Sequence, residues 1–366
     1  MLNSNAERSF ILAALREGKR LDGRKVDERR DICIHLGREW GTAEVSLGDT
    51  RVLASTSCSV GEPRSVRPNE GILKTHIEPL SKRSMTTEAL VELNRVIERV
   101  LKESKCVDME SLCISSEEKV WIISLEMTLL SDAGNAADCA SIAGLAALCH
   151  FKRPDVTLKG DKIRIHPFYG RDPVPLAIHH HPVLSTFALY GRVSLLDPSR
   201  EEEAVMDGKV VPGMNPYREI CALHLAGQKL VDKALVLQLA SKAAEEAKNI
   251  VNQLKNILLR DAQSRKAKED PCLANALREE ASLLTHAKKD HESLDVRKWA
   301  SSKEPKALSE GLPATIENIS EGVLELIPND SGAQDNNMET DDEEEEVAVV
   351  KGIDLEAGKT IVDAPA

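Results

Sequence analysis

Aromatic residues are scarce in this chain: three Trp, three Tyr and four Phe make up 3% of 366 residues. A surface that grips nucleic acid by stacking bases on aromatic rings needs more of them, so a stacking platform is excluded as the organising feature. Long apolar runs are missing too, and none reaches the length of a membrane-spanning helix. The opening MLNSNAERSF has neither the basic start nor the apolar stretch of a secretory leader. The eight cysteines stand singly, with no CxxC pair, mostly inside apolar runs such as those around Cys33, Cys113, Cys149 and Cys221. These absences together lead us to expect an intracellular chain with no membrane contact and with buried thiols in place of disulfides. Walker A, GxSxG, HExxH and dinucleotide fingerprints are also absent, and no cofactor is expected.

The net charge of −12 is unevenly spread. From residue 271 onward there are 22 acids against nine Lys and Arg, whereas the rest of the chain carries 38 acids against 39. The acidity therefore belongs to the C-terminal region. A nearly neutral body can still carry a local basic groove, so charge alone neither supports nor excludes a nucleic-acid partner.

The stretch from Lys119 to Phe151 is the centre of the pattern. Trp121, Ile123, Leu125, Met127 and Leu129 alternate as one apolar strand face. Ser131 to Asn135 breaks that period. From Ala136 the spacing turns helical, with Ala137, Ala140, Ser141, Gly144, Leu145 and Leu148 on one side. So many small residues predict a helix lying close against a sheet. A strand, a Gly-containing turn and a helix N-terminus could bind an anion. This turn carries two acids and no Lys, Arg, Ser or Thr between Asp132 and Asp138, so Asn135 reads as a helix cap completed by Asp138.

Elsewhere a short helix is expected over 6–18 and strands over Ile32–Leu36, Gly41–Leu47, Arg51–Val60 and Gly71–Leu80. An amphipathic helix follows over Thr87–Ser104, and a strand over Leu112–Ser115. Five more strands follow, over Leu176–His181, Ser185–Leu189, Arg192–Leu196, Lys209–Met214 and Glu219–Leu225. The longest helix spans Asp232–Leu259. Each half thus holds several strands followed by a long helix, which suggests two similar α+β halves over 1–150 and 151–262. Residues 263–300 read as a polar helical segment, and 301–366 as a disordered acidic tail. In that tail Val347-Ala348-Val349-Val350 follows the acidic run Asp341–Glu346, a combination able to add a strand to a partner protein's sheet.

Three clusters carry candidate chemistry. Of His179-His180-His181 only the outer two could share a metal in a strand, and nothing nearby completes a ligand set, so no metal is expected. Asp197, Glu201 to Glu203 and Asp207 could hold Mg²⁺ or supply a general acid. The same SREEEA segment also reads as a short solvated helix behind Ser199. Arg95 and Arg99, set among Glu92 and Glu103 at helical spacing, form either exposed ion pairs or phosphate contacts.

The blocks LDGRKVDERRDI, RPNEGIL, LNRVIERVLKESKCVDMESLCI, KVWIISLEM, DAGNAADCASIAGLAALCHF, DPVPLAIHHHPV, LLDPSREEEAVMDG and MNPYREICAL together resemble the RNase PH family. The likeness runs in order over about residues 5–262. Within the family it points to the eukaryotic exosome ring subunit of the polymyositis/scleroderma autoantigen type.

The resemblance implies an RNase PH-like α+β fold of two βαβ-type halves, the first like ribosomal protein S5 domain 2. It implies a hetero-hexameric ring of six such subunits, RNA-binding cap subunits, and RNA threaded through the centre. A role in rRNA maturation and mRNA turnover, and a location in nucleus, nucleolus and cytoplasm, follow as expectations.

Active members are phosphorolytic 3′→5′ exoribonucleases with Ser/Thr-Arg after the turn glycine, where this chain has Asn135 and Ala136. They also carry a catalytic Asp where it has Gly208. The resemblance therefore implies a silent subunit with no catalytic residue, one that lends Arg67, Arg95 and Arg99 to RNA. Lys82 and Arg83 are further candidates, in a loop shorter than the family's. The competing readings are an active phosphorolytic enzyme and a stand-alone interaction protein acting through its tail.

Overall fold

The computed structural model describes residues 5–81, 85–159, 162–168, 170–191, 193–267, 271–278, 314–320 and 323–328. The chain divides into two compact units, 1–287 and 288–366.

The first unit opens with helix α1 (Asn5–Arg16) and a long loop. Strands β1 (Ile32–Leu36), β2 (Thr42–Leu47), β3 (Thr50–Gly61) and β4 (Ile72–Pro79) follow, then helix α2 (Thr87–Glu98). A π-helical turn over Arg99–Glu103 ends α2, and β5 (Cys113–Ser115), β6 (Lys119–Ser131) and helix α3 (Ala136–His150) complete the first half. The sheet order is β1-β2-β3-β6-β4, with β5 on β6. All pairs are antiparallel except β4 with β6. That parallel pair requires a crossover, which α2 supplies, so β4, α2 and β6 form a βαβ unit.

Strand β6 buries Trp121, Ile123, Leu125, Met127 and Leu129 on one face, as the alternation predicts. Helix α3 lies on that face and has Ala, Gly, Ser and Cys at most of its contact positions. The reason is spatial: a Cβ on Gly144 would come within 2.8 Å of Leu101 and 3.2 Å of Leu125. All but two residues of α3 are buried, because the second half covers its other side.

That second half begins with small pieces: β7 (Lys152–Arg153), β8 (Val156–Lys159), β9 (Lys162–Ile165) and β10 (Val174–Pro175). Its sheet comprises β11 (Val183–Leu184), β12 (Phe187–Tyr190) and β13 (Val193–Leu196), then short helix α4 (Arg200–Glu203), then β14 (Gly208–Met214) and β15 (Ile220–Gly227). Every pairing here is antiparallel, so the parallel βαβ unit belongs to the first half. Helix α5 (Lys233–Ala267) runs 35 residues, eight beyond the expected end, and buries Leu239, Ala243, Ala247, Ile250, Val251 and Leu254 against β14, β11 and α3.

The strand expected over Leu176–His181 does not form; Ile178 makes only an isolated bridge to Val107. Pro175 and Pro182 bound the segment on either side, and around Ile178 it exchanges two backbone bonds, from the Asp108 N–H to the Ala177 carbonyl and from the His179 N–H to the Cys106 carbonyl. Helix α1 also departs from expectation. Ile11 and Leu15 pack with Ala188, Tyr190, Leu195 and Val205 of the second half, although the chain enters through the first.

The second unit contains an antiparallel hairpin of β16 (Ala314–Ser320) and β17 (Val323–Pro328). The expected disorder of 301–366 is thus interrupted at this point. Of the expected polar helix, residues 272–278 are helical, and 279–313 lie outside the described residues. Val347 to Val350 also lie outside them.

Strand β4 is a sheet edge, and Asn94 of α2 covers part of it. Its Oδ1 accepts from the Ile77 N–H at 3.0 Å and its Nδ2 donates to the Ile77 carbonyl at 3.0 Å. Asn94→Ala strands both groups, so a loss of about 1–3 kcal/mol is expected in urea unfolding. Asn94→Asp is expected to fall between the two, because it keeps only the acceptor.

Candidate functional site

The N-terminus of α3 opens on a pocket of about 230 Å³ at the meeting of both halves. Its walls include Glu92 and Val96 of α2, Asp132, Asn135 and Ala136 of the turn, and Arg200, Glu203, Lys209 and His224 of the second half. The turn is built on Gly134 at φ +96° and Asn135 at φ +55°, both left-handed.

The structure corrects the reading of Asn135 as a side-chain cap. Asn135 stands at the cap position, but its side chain makes no cap hydrogen bond. At this left-handed residue the side-chain amide lies instead against two carboxylates. Its Nδ2 donates to Asp138 Oδ2 at 3.0 Å and Asp197 Oδ1 at 2.7 Å. Its Oδ1 is buried with no partner among the described residues. The Asn135 N–H, directed at the pocket, donates to Glu203 Oε1 at 2.8 Å. Loss of water pushes the Glu203 carboxyl up to about 7, and the Asn135 N–H only partly offsets this.

Beneath the turn lies a buried ionic network that was not expected. Asp197, with 0% exposure, accepts from the Arg30 N–H, Nε and Nη2, from Arg24 Nη1 and from Asn135. Burial alone would raise its carboxyl. The hydrogen bond and charge of Arg30 outweigh that and hold it below the usual carboxylate range. Asp138 accepts from Arg29 at 2.9 Å and from the Thr186 hydroxyl at 2.7 Å. Arg20 forms a two-pronged pair with Glu202 at 3.1 and 2.7 Å.

The SREEEA segment is thus a helix behind Ser199 with a full capping box, but it is not a solvated one, since Glu202 is buried on Arg20. The four arginines of RLDGRKVDERR stand close together in the sequence, and their partners lie more than a hundred residues away.

At the pocket wall Glu92 accepts from Lys209 at 2.8 Å and His224 at 2.9 Å. Desolvation opposes the ionised form of Glu92, and the hydrogen bonds from Lys209 and His224 prevail to lower its carboxyl. Glu92 is therefore not in an ion-pair ladder with Arg95. Gly208 is buried at the start of β14, where a Cβ would sit 3.0 Å from the Ala226 carbonyl.

The expected RNA contacts fall in different places. Arg67 is exposed on a groove of about 850 Å³ shared with Arg64, Lys102, Lys105 and His179, and pairs with Glu70 at 2.9 Å. Arg95 is exposed on α2. Arg99 is half-buried, donates to the Leu223 carbonyl at 3.4 Å and lies 3.7 Å from Glu103. Lys82 and Arg83 lie outside the described residues. His179 stands 3.8 Å from Asp108 on a segment that is not a strand, so the alternation invoked for a histidine pair does not apply.

Two α+β halves sharing one buried helix, with a pocket at that helix's N-terminus, match two family descriptions. "3' exoribonuclease family, domain 1" covers residues 28–154 and "3' exoribonuclease family, domain 2" covers residues 180–246. The chain belongs to the 3′ exoribonuclease, or RNase PH, family. It is 43% identical over 271 residues to exosome complex component RRP45 of Homo sapiens, covering 72% of this chain and 62% of that protein. Against rrp45 of Schizosaccharomyces pombe it is 33% identical over 266 residues, covering 70% of this chain and 91% of that one. The chain thus spans about 62% of the length of the mammalian relatives it matches.

Among solved structures, it resembles a chain of an archaeal exosome core with a TM-score of 0.59 and 30% identity, covering 69% of this chain and 97% of that one. A chain of the Archaeoglobus fulgidus exosome with RNA bound to the active site gives a TM-score of 0.60 and 29% identity, covering 68% and 98%.

Proposed function

We propose that this chain is a non-catalytic, RNA-guiding subunit of an exosome ring, supporting 3′→5′ RNA processing and degradation. Its partners on this reading are RNase PH-like neighbours in a hetero-hexamer, RNA-binding cap subunits and RNA. The reading places it in nucleus, nucleolus and cytoplasm. The family membership and the RRP45 likeness support the ring.

The observation that carries the silent role is the wall of the pocket at Asn135–Ala136. Phosphorolysis needs a cationic clamp on the attacking phosphate. Ala136 supplies none, and the nearby Asn135 N–H is already committed to Glu203. Lys209 is paired with Glu92.

RNA guidance rests on the exposed Arg67 and Arg95 and the half-buried Arg99. Phosphate contacts of this kind position RNA without reading its sequence. The test is RNA decay in phosphate buffer by the reconstituted ring, with Arg67, Arg95 and Arg99 intact or each changed to Glu. Ring mass is checked in the same samples. Each lost phosphate contact is expected to weaken RNA binding and lower its salt slope by about 1. Arg99→Glu is expected to disturb packing as well, given its bond to β15. Phosphate-dependent release of nucleoside diphosphates by this chain alone would revive the enzyme reading.

A further inference from the structure

The pocket at the head of α3 already contains an anion, and the chain supplies it. A helix N-terminus of this length presents unpaired N–H groups and a positive dipole end. Here the carboxylate of Glu203, delivered by α4, takes the Asn135 N–H at 2.8 Å while facing the pocket. We propose that Glu203 is the resident anion of this pocket, a built-in carboxylate that fills and charges the place where a phosphate oxygen would bind.

The surroundings support that assignment. The cations on the pocket wall are satisfied without a ligand: Lys209 by Glu92 and Arg200 Nη1 by the Asp132 carbonyl at 3.2 Å. Glu203 is joined there by Asp132 and Glu92, so an entering phosphate meets three acids. The backbone geometry of an anion site persists: the left-handed Gly134–Asn135 turn still aims its N–H into the pocket. On this view the occupied N–H at Asn135 is what keeps phosphate out, and the missing guanidinium at Ala136 only lowers the affinity that remains once that N–H is freed. The proposal rests on the silent-subunit reading, but phosphate binding is measured without RNA or ring assembly, so each can fail alone.

The experiment compares binding of inorganic phosphate to the full chain in wild-type, Glu203→Ala and Glu203→Gln forms at pH 8, by calorimetry at constant ionic strength. Wild type and Glu203→Gln are expected to show no saturable binding, because the Gln amide oxygen still fills the site and accepts from Asn135. Glu203→Ala is expected to bind saturably, with a dissociation constant about tenfold or more below the highest phosphate concentration at which wild type shows none. A folded Glu203→Ala that ignores phosphate overturns the proposal, and so does a wild type that binds it equally well.

Should Glu203→Ala not fold, the Asn135 amide resonance of the wild-type chain decides. It is expected to shift as Glu203 ionises and to stay unmoved by phosphate at pH 8. A phosphate-induced shift of that resonance, or no response to pH, overturns the proposal.

Discussion

Asp197→Ala is expected to destabilise the chain by about 3–5 kcal/mol, read as a lower urea midpoint at neutral pH. Asp197 is fully buried and is the common partner of Arg24, Arg30 and Asn135. Removing one member of a buried charge pair leaves the other desolvated and uncompensated, which outweighs any single lost contact. The same carboxylate predicts a pH response. Its folded form titrates below its ordinary value of 3.8, so the stability it contributes is present above that value. It is lost as pH falls further, toward the folded value. Wild type is therefore expected to weaken steeply below about pH 4, and Asp197→Asn, already weaker, to show a shallower fall. Parallel pH curves for the two would show that Asp197 carries no linkage.

Gly134→Ala is expected to be nearly as damaging. Two effects, each about 1–3 kcal/mol, coincide: a side chain at φ +96° and an overpacked contact. The added Cβ would lie 2.4 Å from the Arg200 N and 2.6 Å from the Ser199 carbonyl carbon. Both are backbone atoms, so rotamer changes cannot relieve the clash. The turn and the start of α4 must separate, breaking the Arg200 N–H bond to the Ala133 carbonyl and moving Glu203 away from Asn135. Urea unfolding and the Asn135 amide resonance would report the two losses together. A change under about 1 kcal/mol would mean that the segments part freely.

What the sequence shows well is local. The alternation of β6 and the small residues of α3 are visible because period and side-chain size answer to immediate packing. Family blocks distributed along the chain extend that reading to the fold. The parallel pairing of β4 with β6 does not show, since the same apolar strand suits either direction. The error at Asn135 has a clear physical cause. Local rules see Asn before a helix with Asp three residues later, and a cap follows. Here the backbone is left-handed, and Glu203, 68 residues away, takes the N–H. SREEEA shows the same limit: its capping box is local and legible, whereas the burial of Glu202 depends on Arg20, 182 residues distant.

At the far end of α3, His150 meets the last turns of α5. Its Nδ1 accepts from the Gly41 N–H, and Arg265 reaches the Gly37 carbonyl and stacks 4.1 Å above Trp40. The pocket lies at the opposite terminus of the same 15-residue helix, about 22 Å off. The two ends of α3 are thus held by different segments, the far end by the last turns of α5 and the near end by α4. Changes at the α5 corner and changes at the pocket can then accumulate independently of each other.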